Sequence, residues 1–142
     1  MKRGTQEWKQ SMINQLARLQ EELDETIKAV NEMDELETLD GLTDIQVVLE
    51  GAVFLSDLPV DEAFDMVMDN NDLKHTLDYN EAYETVILMG PDKFHVQESV
   101  MIEQGMTNPV IYYSVHRYLD NKVCKLLNHP RVDLAPLLEG EV

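Results

Sequence analysis

Apolar residues recur every three or four positions in the first part of the chain, over about residues 5–33. This spacing places them on one face of a helix. The apolar stripe consists of Leu16, Leu19, Leu23, Ile27 and Val30. A second stripe beside it consists of Gln15, Arg18, Glu22, Glu25 and Ala29. The pattern predicts one long amphipathic helix whose acidic positions lie at the edge of its buried seam.

Three more helices are predicted further along the chain. After a polar break at residues 31–36, a helix over about 38–56 is apolar on most sides, which is typical of a buried helix. Pro59 suits the first position of a third helix, because it has no N–H to leave unpaired. A fourth helix over about 79–89 ends at Gly90, which is followed by proline.

The period of the pattern changes to two after the fourth helix, which indicates β-strands. Residues 94–102 alternate between apolar and polar, and residues 111–119 are rich in Val, Ile and Tyr. Asp120-Asn121 predicts a tight turn, and residues 122–127 return as the partner strand. We therefore expect a small β-hairpin near the C-terminal end of a helical protein.

Composition narrows the class of protein. The chain has 142 residues, enough for one domain over 1–142, with a helical core over about 5–90 and a β appendage and tail over about 91–142. The net charge of -17 argues against direct binding to nucleic acid. No apolar run approaches the roughly 20 residues that a membrane span needs. The single cysteine, Cys124, fits a reducing cytoplasm.

Two clusters of carboxylates lie at helical spacing on the first two predicted helices. Glu22 and Glu25 share one helix face, and so do Asp40 and Asp44. If the two helices fold back on each other, these four carboxylates face one small space. Like charges so close repel, so we expect a cation between them. Ligation by carboxylate oxygens alone is the preference of Mg²⁺, with Mn²⁺ as an alternative.

The acids belong to a set of three motifs: Glu21-Glu22-x-x-Glu25, Asp40-Gly41-Leu42-x-Asp44 and Asn71-x-x-Lys74. This set resembles a known group of enzymes, the all-α nucleoside triphosphate pyrophosphohydrolases. This superfamily includes MazG-like and phosphoribosyl-ATP pyrophosphohydrolase branches, and the small phage-type MazG-like proteins are the most similar. The resemblance implies a cytoplasmic protein, in a bacterium or, if it is phage-encoded, in the host cell.

The chain departs from the family pattern at one position. The family commonly carries Glu three residues before the second Asp, where this chain has Gly41. Asp40 lies four residues before Asp44 and keeps the same helix face. Glu37, at the spacing Glu37-x-x-Asp40, is a rival for the same role. The fourth metal ligand is therefore open between Asp40 and Glu37.

The resemblance implies hydrolysis of a nucleoside or deoxynucleoside triphosphate between its α and β phosphates, giving a monophosphate and pyrophosphate. It implies Mg²⁺ held by Glu22, Glu25, Asp44 and Asp40, with Glu21 orienting or deprotonating the attacking water. Further roles implied for this sequence are phosphate binding by Asn71, Lys74 and Arg18 and nucleobase contact by Trp8 and Gln15.

A helical hairpin with a third helix offers a thin core, so we expect two copies to pair and complete a four-helix bundle. The predicted fold class is therefore a mainly α, MazG-like helical bundle completed by oligomerisation, as a homodimer or a dimer of dimers, with a small C-terminal β-hairpin appendage. Two alternatives to the enzyme stay open. One is an acidic, non-catalytic binding protein that mimics the charge of DNA toward a basic partner. The other is a member of the same superfamily that binds nucleotides without cleaving them.

Overall fold

The computed structural model describes residues 1–102, 104–105 and 107–139. About 55% of the described chain is helical, beside a small antiparallel sheet, which confirms the prediction of a mainly α protein. Contacts divide the chain into two compact units, Met1–Val60 and Asp61–Val142. The division falls after the second helix, whereas the sequence suggested a change from helical core to β appendage near residue 90.

The first unit is a hairpin of two helices, α1 (Gln6–Asn31) and α2 (Glu35–Ser56), close to the predicted bounds. Thr5 caps α1, because its hydroxyl accepts a hydrogen bond from the Trp8 amide at 3.2 Å. Asp34 caps α2 in the same way and accepts from the Glu37 amide at 3.0 Å. The short connection between the helices turns the chain back on itself, so α1 and α2 run antiparallel.

Three contacts fix the register of this hairpin. The Trp8 indole Nε1 donates to the carbonyl oxygen of Ser56 at 3.0 Å, at the open end of the hairpin. In the middle, the side-chain amide of Gln15 donates to the carbonyl oxygen of Val48 at 2.9 Å. Near the connection, Thr26 lies directly against Gly41. A Cβ atom on Gly41 would lie 3.0 Å from the Cβ atom of Thr26, closer than such atoms normally approach.

The face of α1 that packs on α2 is not the apolar stripe that the sequence suggested. The buried residues of α1 are Thr26 and Ala29, from the neighbouring, more polar side of the helix. Small residues on α2, including the buried Gly41 and Ala52, let the helices approach on that side. Large residues of the apolar stripe stay about half exposed within the single chain: Leu16, Leu23, Ile27 and Val30.

The second helix also keeps a large apolar surface exposed within the chain. We expected a helix that is apolar nearly all round to be buried, but the Phe54 side chain is 86% exposed and that of Val47 is 65% exposed. Only the narrow side that faces α1 is buried, at Gly41, Val48, Ala52 and Ser56. The hairpin therefore presents an apolar surface that no other part of the first unit covers.

The second unit begins with α3 (Val60–Asp72), none of whose residues is buried. A two-residue strand, β1 (His75–Thr76), leads into α4 (Tyr79–Met89). The Asp78 side chain caps α4 and accepts from the Asn80 amide at 2.9 Å. Both helices begin within a residue of the predicted positions.

A small antiparallel sheet follows, formed by β1, β2 (Phe94–Met101), β3 (Val110–Arg117) and β4 (Val123–Cys124). The strand order is β1-β3-β2, and β4 also pairs with β3. One face of the sheet packs on α4 around a buried core of Ala82, Val86, Val115 and Leu126. The predicted hairpin is thus part of a sheet with a further strand, β1, which the sequence pattern did not reveal.

A 3₁₀ turn over Ala135–Leu137 follows the sheet. None of the helices in the described ranges is both long and apolar enough to cross a membrane.

Candidate active site

One acidic cluster lies on α1 and the other on α2, next to the close contact between the two helices. Thr26 is one turn beyond Glu22 on α1, and its hydroxyl donates to the Glu22 carbonyl oxygen at 2.7 Å. Its contact on α2 is Gly41, which directly follows Asp40 and precedes Asp44 by one turn. The close contact of Thr26 with Gly41 therefore brings the acidic turns of the two helices beside each other.

The pKa of Glu22 is influenced by acids of both clusters. The pKa of the Glu22 carboxyl is raised above its ordinary value, first by its partial burial and then by the charge of Asp44. Glu25, Asp40 and Glu21 raise it further, in that order. A carboxylate on the opposite helix thus acts on Glu22 more strongly than its neighbours on α1. Such mutual repulsion of carboxylates is what a bound cation relieves.

The carboxylates are neighbours but do not form a closed set of ligands in the structure. Across residues 1–102, 104–105 and 107–139, no three His, Cys, Asp or Glu side chains lie close enough to hold a metal ion together. Glu21, Glu25 and Asp40 are exposed, whereas Glu22 and Asp44 are half-buried. Carboxylates of like charge repel one another, so without a cation a separated arrangement is favourable. Ligation of one ion by all four would therefore require their side chains to move closer together.

The position of Gly41 explains the departure from the family pattern. Gly41 is buried against Thr26, so a glutamate at this position would run into α1. Asp40, one residue earlier, is exposed and contributes to the raised pKa of Glu22. Glu37 lies in the first turn of α2 and is also exposed. The fourth ligand stays a prediction, with Asp40 first and Glu37 as its rival.

Trp8 and Gln15 use their polar groups to hold α1 against α2. The Trp8 indole N–H is bound to the Ser56 carbonyl, and the Gln15 amide nitrogen is bound to the Val48 carbonyl. The Gln15 amide also lies against Gly51, whose missing side chain leaves room for it. Nucleobase contact by Trp8 and Gln15 stays a prediction, and it would have to use the other parts of these side chains.

The remaining predicted site residues lie in different parts of the chain. Arg18 is exposed on α1. Asn71 and Lys74 belong to the second unit, at the end of α3, where the Lys74 amide donates to the Asn71 carbonyl oxygen at 3.0 Å. This hydrogen bond closes a turn that holds the two residues of the Asn-x-x-Lys signature together. Their contact with phosphate stays a prediction.

Comparison with known proteins agrees with the motifs. Residues 3–71 match the family model described as phosphoribosyl-ATP pyrophosphohydrolase. That family is part of the MazG-like all-α NTP pyrophosphohydrolase superfamily, so the match agrees with the superfamily that the motifs resemble. No curated protein and no solved structure matches the chain. The matched segment contains every acid of the two clusters, and the match supports a pyrophosphohydrolase activity in general terms.

Sequence reasoning did not identify the contact of Thr26 with Gly41, although a signal for it was present. A glycine in the interior of an otherwise apolar helix lowers helix propensity and usually has a packing reason. Here the reason is the close approach of α1, which sets the spacing of the two acidic clusters.

Proposed function

We propose that this protein is a metal-dependent nucleoside triphosphate pyrophosphohydrolase, which converts a (deoxy)nucleoside triphosphate and water into the monophosphate and pyrophosphate. The observation that carries the proposal is the close contact of Thr26 with Gly41, which brings the acidic turns of α1 and α2 beside each other within the segment that matches the family. The raised pKa of Glu22, caused in part by Asp44 of the opposite helix, supports it. A cytoplasmic location, where nucleotides and Mg²⁺ are present, belongs to the same proposal.

The oxygen donors of the cluster suit Mg²⁺ or Mn²⁺, the hard ions that carboxylates bind. Glu22 and Glu25 from α1 would hold the ion together with Asp44 and Asp40 from α2. When bound, such an ion would reverse the local negative field, polarise the α-phosphoryl group and lower the pKa of water. Because a triphosphate is strongly anionic, its approach to this acidic surface depends on that reversal.

The chain's own residues would then position the reactants. Glu21, next to the metal ligands, would orient or deprotonate the attacking water. Lys74 and Asn71 would bind phosphate oxygens, and Arg18 would add a second positive charge from α1. Positioning and charge stabilisation of this kind supply most of the catalysis of phosphoryl transfer.

We propose further that the protein acts as a homodimer or a dimer of dimers. A second copy would bury three apolar surfaces that are exposed within the single chain. They are the apolar stripe of α1, the side of α2 with Phe54, and α3. Light scattering at micromolar concentration should therefore show a dimer or tetramer. Phe54→Glu should shift this species toward monomer, while Phe54→Leu keeps it. A monomeric wild-type chain would contradict the proposal.

The activity is tested by a panel of ribo- and deoxynucleoside triphosphates assayed for pyrophosphate and, separately, for orthophosphate. Release of pyrophosphate with Mg²⁺, and none with EDTA, is expected from the wild type. Glu25→Gln and Asp44→Asn should abolish release while circular dichroism shows intact helices. Asp24→Asn is the matched control, because Asp24 lies in the same acidic run and accepts a hydrogen bond from Gln20 instead.

A folded wild-type chain that releases no pyrophosphate from any nucleotide with Mg²⁺ or Mn²⁺ would contradict the enzyme. The net charge of -17 supports an acidic binding protein as the second candidate. Such a protein would bind a basic partner with or without Asp44, so a complex that survives Asp44→Asn would favour it. Metal-dependent nucleotide binding without cleavage would instead indicate the non-enzymatic member of the superfamily.

A further inference from the structure

The second unit contains a cavity of about 440 Å³ that the proposed hydrolysis does not yet use. It lies on the sheet, next to the end of α3. The residues that line it include Asp72, His75, Leu77, Met101, Val110 and Tyr112. Its volume lies in the range of small-molecule sites, which are mostly apolar with a few polar groups.

Strand register explains how these residues meet. Successive residues of a strand point to opposite faces, so Val110, Tyr112 and Ser114 of β3 share one face. Met101 of β2 pairs with Val110, and His75 of β1 pairs with Ser114, which places them on the same face. Val115 points the other way, into the core against α4. The cavity therefore lies on the sheet face opposite α4.

The lining offers surfaces for a flat ring. The rings of His75 and Tyr112 lie with their centroids 5.3 Å apart and their planes at 76°, so they form a corner. Met101 and Val110 give an apolar floor beside it. Aromatic and apolar side chains of this kind stack well on nucleobases, whatever the base.

Asp72 adds selectivity to this apolar surface. An ionised carboxylate only accepts hydrogen bonds, so it favours a ligand edge with adjacent donors. Guanine presents a ring N–H next to an amino group on its Watson–Crick edge. Adenine and cytosine present an acceptor nitrogen next to their amino group, and uracil presents one N–H between two carbonyl oxygens. Guanine is therefore the base whose edge matches Asp72 with two hydrogen bonds.

We propose that this cavity binds the base of the substrate nucleotide and prefers guanine. The inference rests on the proposed function, because Asp72 and His75 are the direct chain neighbours of Asn71 and Lys74, the residues proposed to bind phosphate. The end of α3 and the turn after it thus carry the proposed phosphate-binding and base-binding residues in alternation. The proposal therefore places base recognition in the second unit, and not at Trp8 and Gln15 of α1.

The test compares kcat/KM for pyrophosphate release from guanine, adenine, cytosine and uracil nucleotides. The wild type should prefer guanine by about tenfold or more, the range expected for a bidentate contact. Asp72→Asn should lower kcat/KM for the guanine nucleotide about tenfold and raise it for the adenine nucleotide, because an amide offers one acceptor and one donor. Asp69→Asn, on the exposed side of the same helix, is the matched control and should leave the order of the bases unchanged.

Binding of GMP in EDTA separates the cavity from the hydrolysis, since it needs no metal. NMR of the protein should show shifts at the His75 and Tyr112 rings, and Tyr112→Leu should weaken binding, whereas Tyr83→Leu on α4 should not. If GMP binds in this way but no nucleotide is cleaved, the proposed hydrolysis fails and the cavity stands. If pyrophosphate is released but Asp72→Asn and Tyr112→Leu leave the base preference unchanged, or lower all four nucleotides equally, the inference about the cavity is overturned.

Discussion

Adding one methyl group at Gly41 should separate the two acidic helices. In Gly41→Ala, the new Cβ atom would meet Thr26, whose Cβ and Cγ2 atoms lie 3.0 Å and 3.2 Å away. The Thr26 side chain cannot turn aside freely, because its hydroxyl is bound to the Glu22 carbonyl oxygen at 2.7 Å and its Cβ atom is fixed to the backbone. The helices must therefore move apart at the level of the two acidic clusters.

The size of the effect follows from two opposing contributions. Replacing an interior glycine by alanine favours a helix by about 1 kcal/mol. Overpacking of a close contact lowers the free energy of unfolding by about 1–3 kcal/mol. We expect a cost at the upper end of this range for Gly41→Ala, because the Cβ atom of Thr26 is fixed to the backbone. We expect Gly41→Ala to lower the free energy of unfolding by about 2 kcal/mol net, or to lower Tm by about 6–8 °C for a chain of this size.

Gly51→Ala in the same helix is the matched control. Its Cβ atom would lie 2.7 Å from the side-chain nitrogen of Gln15, the end of a flexible side chain that can move away. The loss of the Gln15 hydrogen bond, about 1 kcal/mol, roughly offsets the gain in helix propensity. Thermal unfolding followed by circular dichroism should therefore place this control near the wild type.

The same two variants test the link between packing and metal binding. Mg²⁺ should raise the Tm of the wild type and of Gly51→Ala, since a ligand that binds only the folded state stabilises it. Gly41→Ala should show a smaller increase, because its carboxylates are farther apart. A Gly41→Ala protein as stable as the wild type, with the same response to Mg²⁺, would refute the close packing of α1 on α2.

Two further predictions concern pH. Because the pKa of Glu22 is raised above 4.5, its ionised form is less favourable in the folded chain than in the unfolded one. Metal-free protein should therefore lose stability as pH rises from 4.5 through the raised pKa. In unfolding experiments with EDTA, Glu22→Gln should remove this loss, whereas the exposed Glu50→Gln should keep it. Asp120 shows the opposite sign: hydrogen bonds from the Arg117 side chain and the Lys122 amide lower its pKa from 3.8 to about 2. The stabilisation it provides is present above 3.8 and lost as pH falls through about 2, so urea unfolding of Asp120→Asn should converge with the wild type over that range.

The helices and the acidic site were accessible from sequence because they depend on local spacing. Residues three and four apart share a helix face whatever the rest of the fold does, so Glu22 with Glu25 and Asp40 with Asp44 could be paired in advance. The raised pKa of Glu22, to which Asp44 and Asp40 contribute, agrees with this pairing, and metal binding by the four acids stays a prediction.

The choice of packing face on α1 was not predictable from periodicity. Hydrophobicity favoured the stripe with Leu23 and Ile27, but α2 packs on the side of Thr26 because the small Gly41 allows close approach there. The apolar stripe is left for contacts outside the hairpin. Periodicity identifies which residues share a face, whereas the shape of the partner decides which face is used.

The short strand β1 escaped prediction for a different reason. His75 and Thr76 are two residues, too few to show a period, and their pairing with Ser114 and Tyr113 of β3 is far away in sequence. The cavity beside Tyr112 depends on this strand, so it became visible only with the sheet register.

The most direct test of the central claim is a titration with Mn²⁺, followed by electron paramagnetic resonance of the free ion. The wild type should bind Mn²⁺, and Mg²⁺ should compete for the same site. Asp44→Asn on α2 and Glu22→Gln on α1 should each weaken Mn²⁺ binding by more than about 100-fold. Loss of a residue that only hydrogen-bonds to a metal ligand typically weakens binding by about 10–100-fold, so a larger loss indicates a direct ligand. Asp24→Asn should bind as the wild type does. Equal binding by all four proteins, or none by the wild type, would contradict a metal site shared by the two helices.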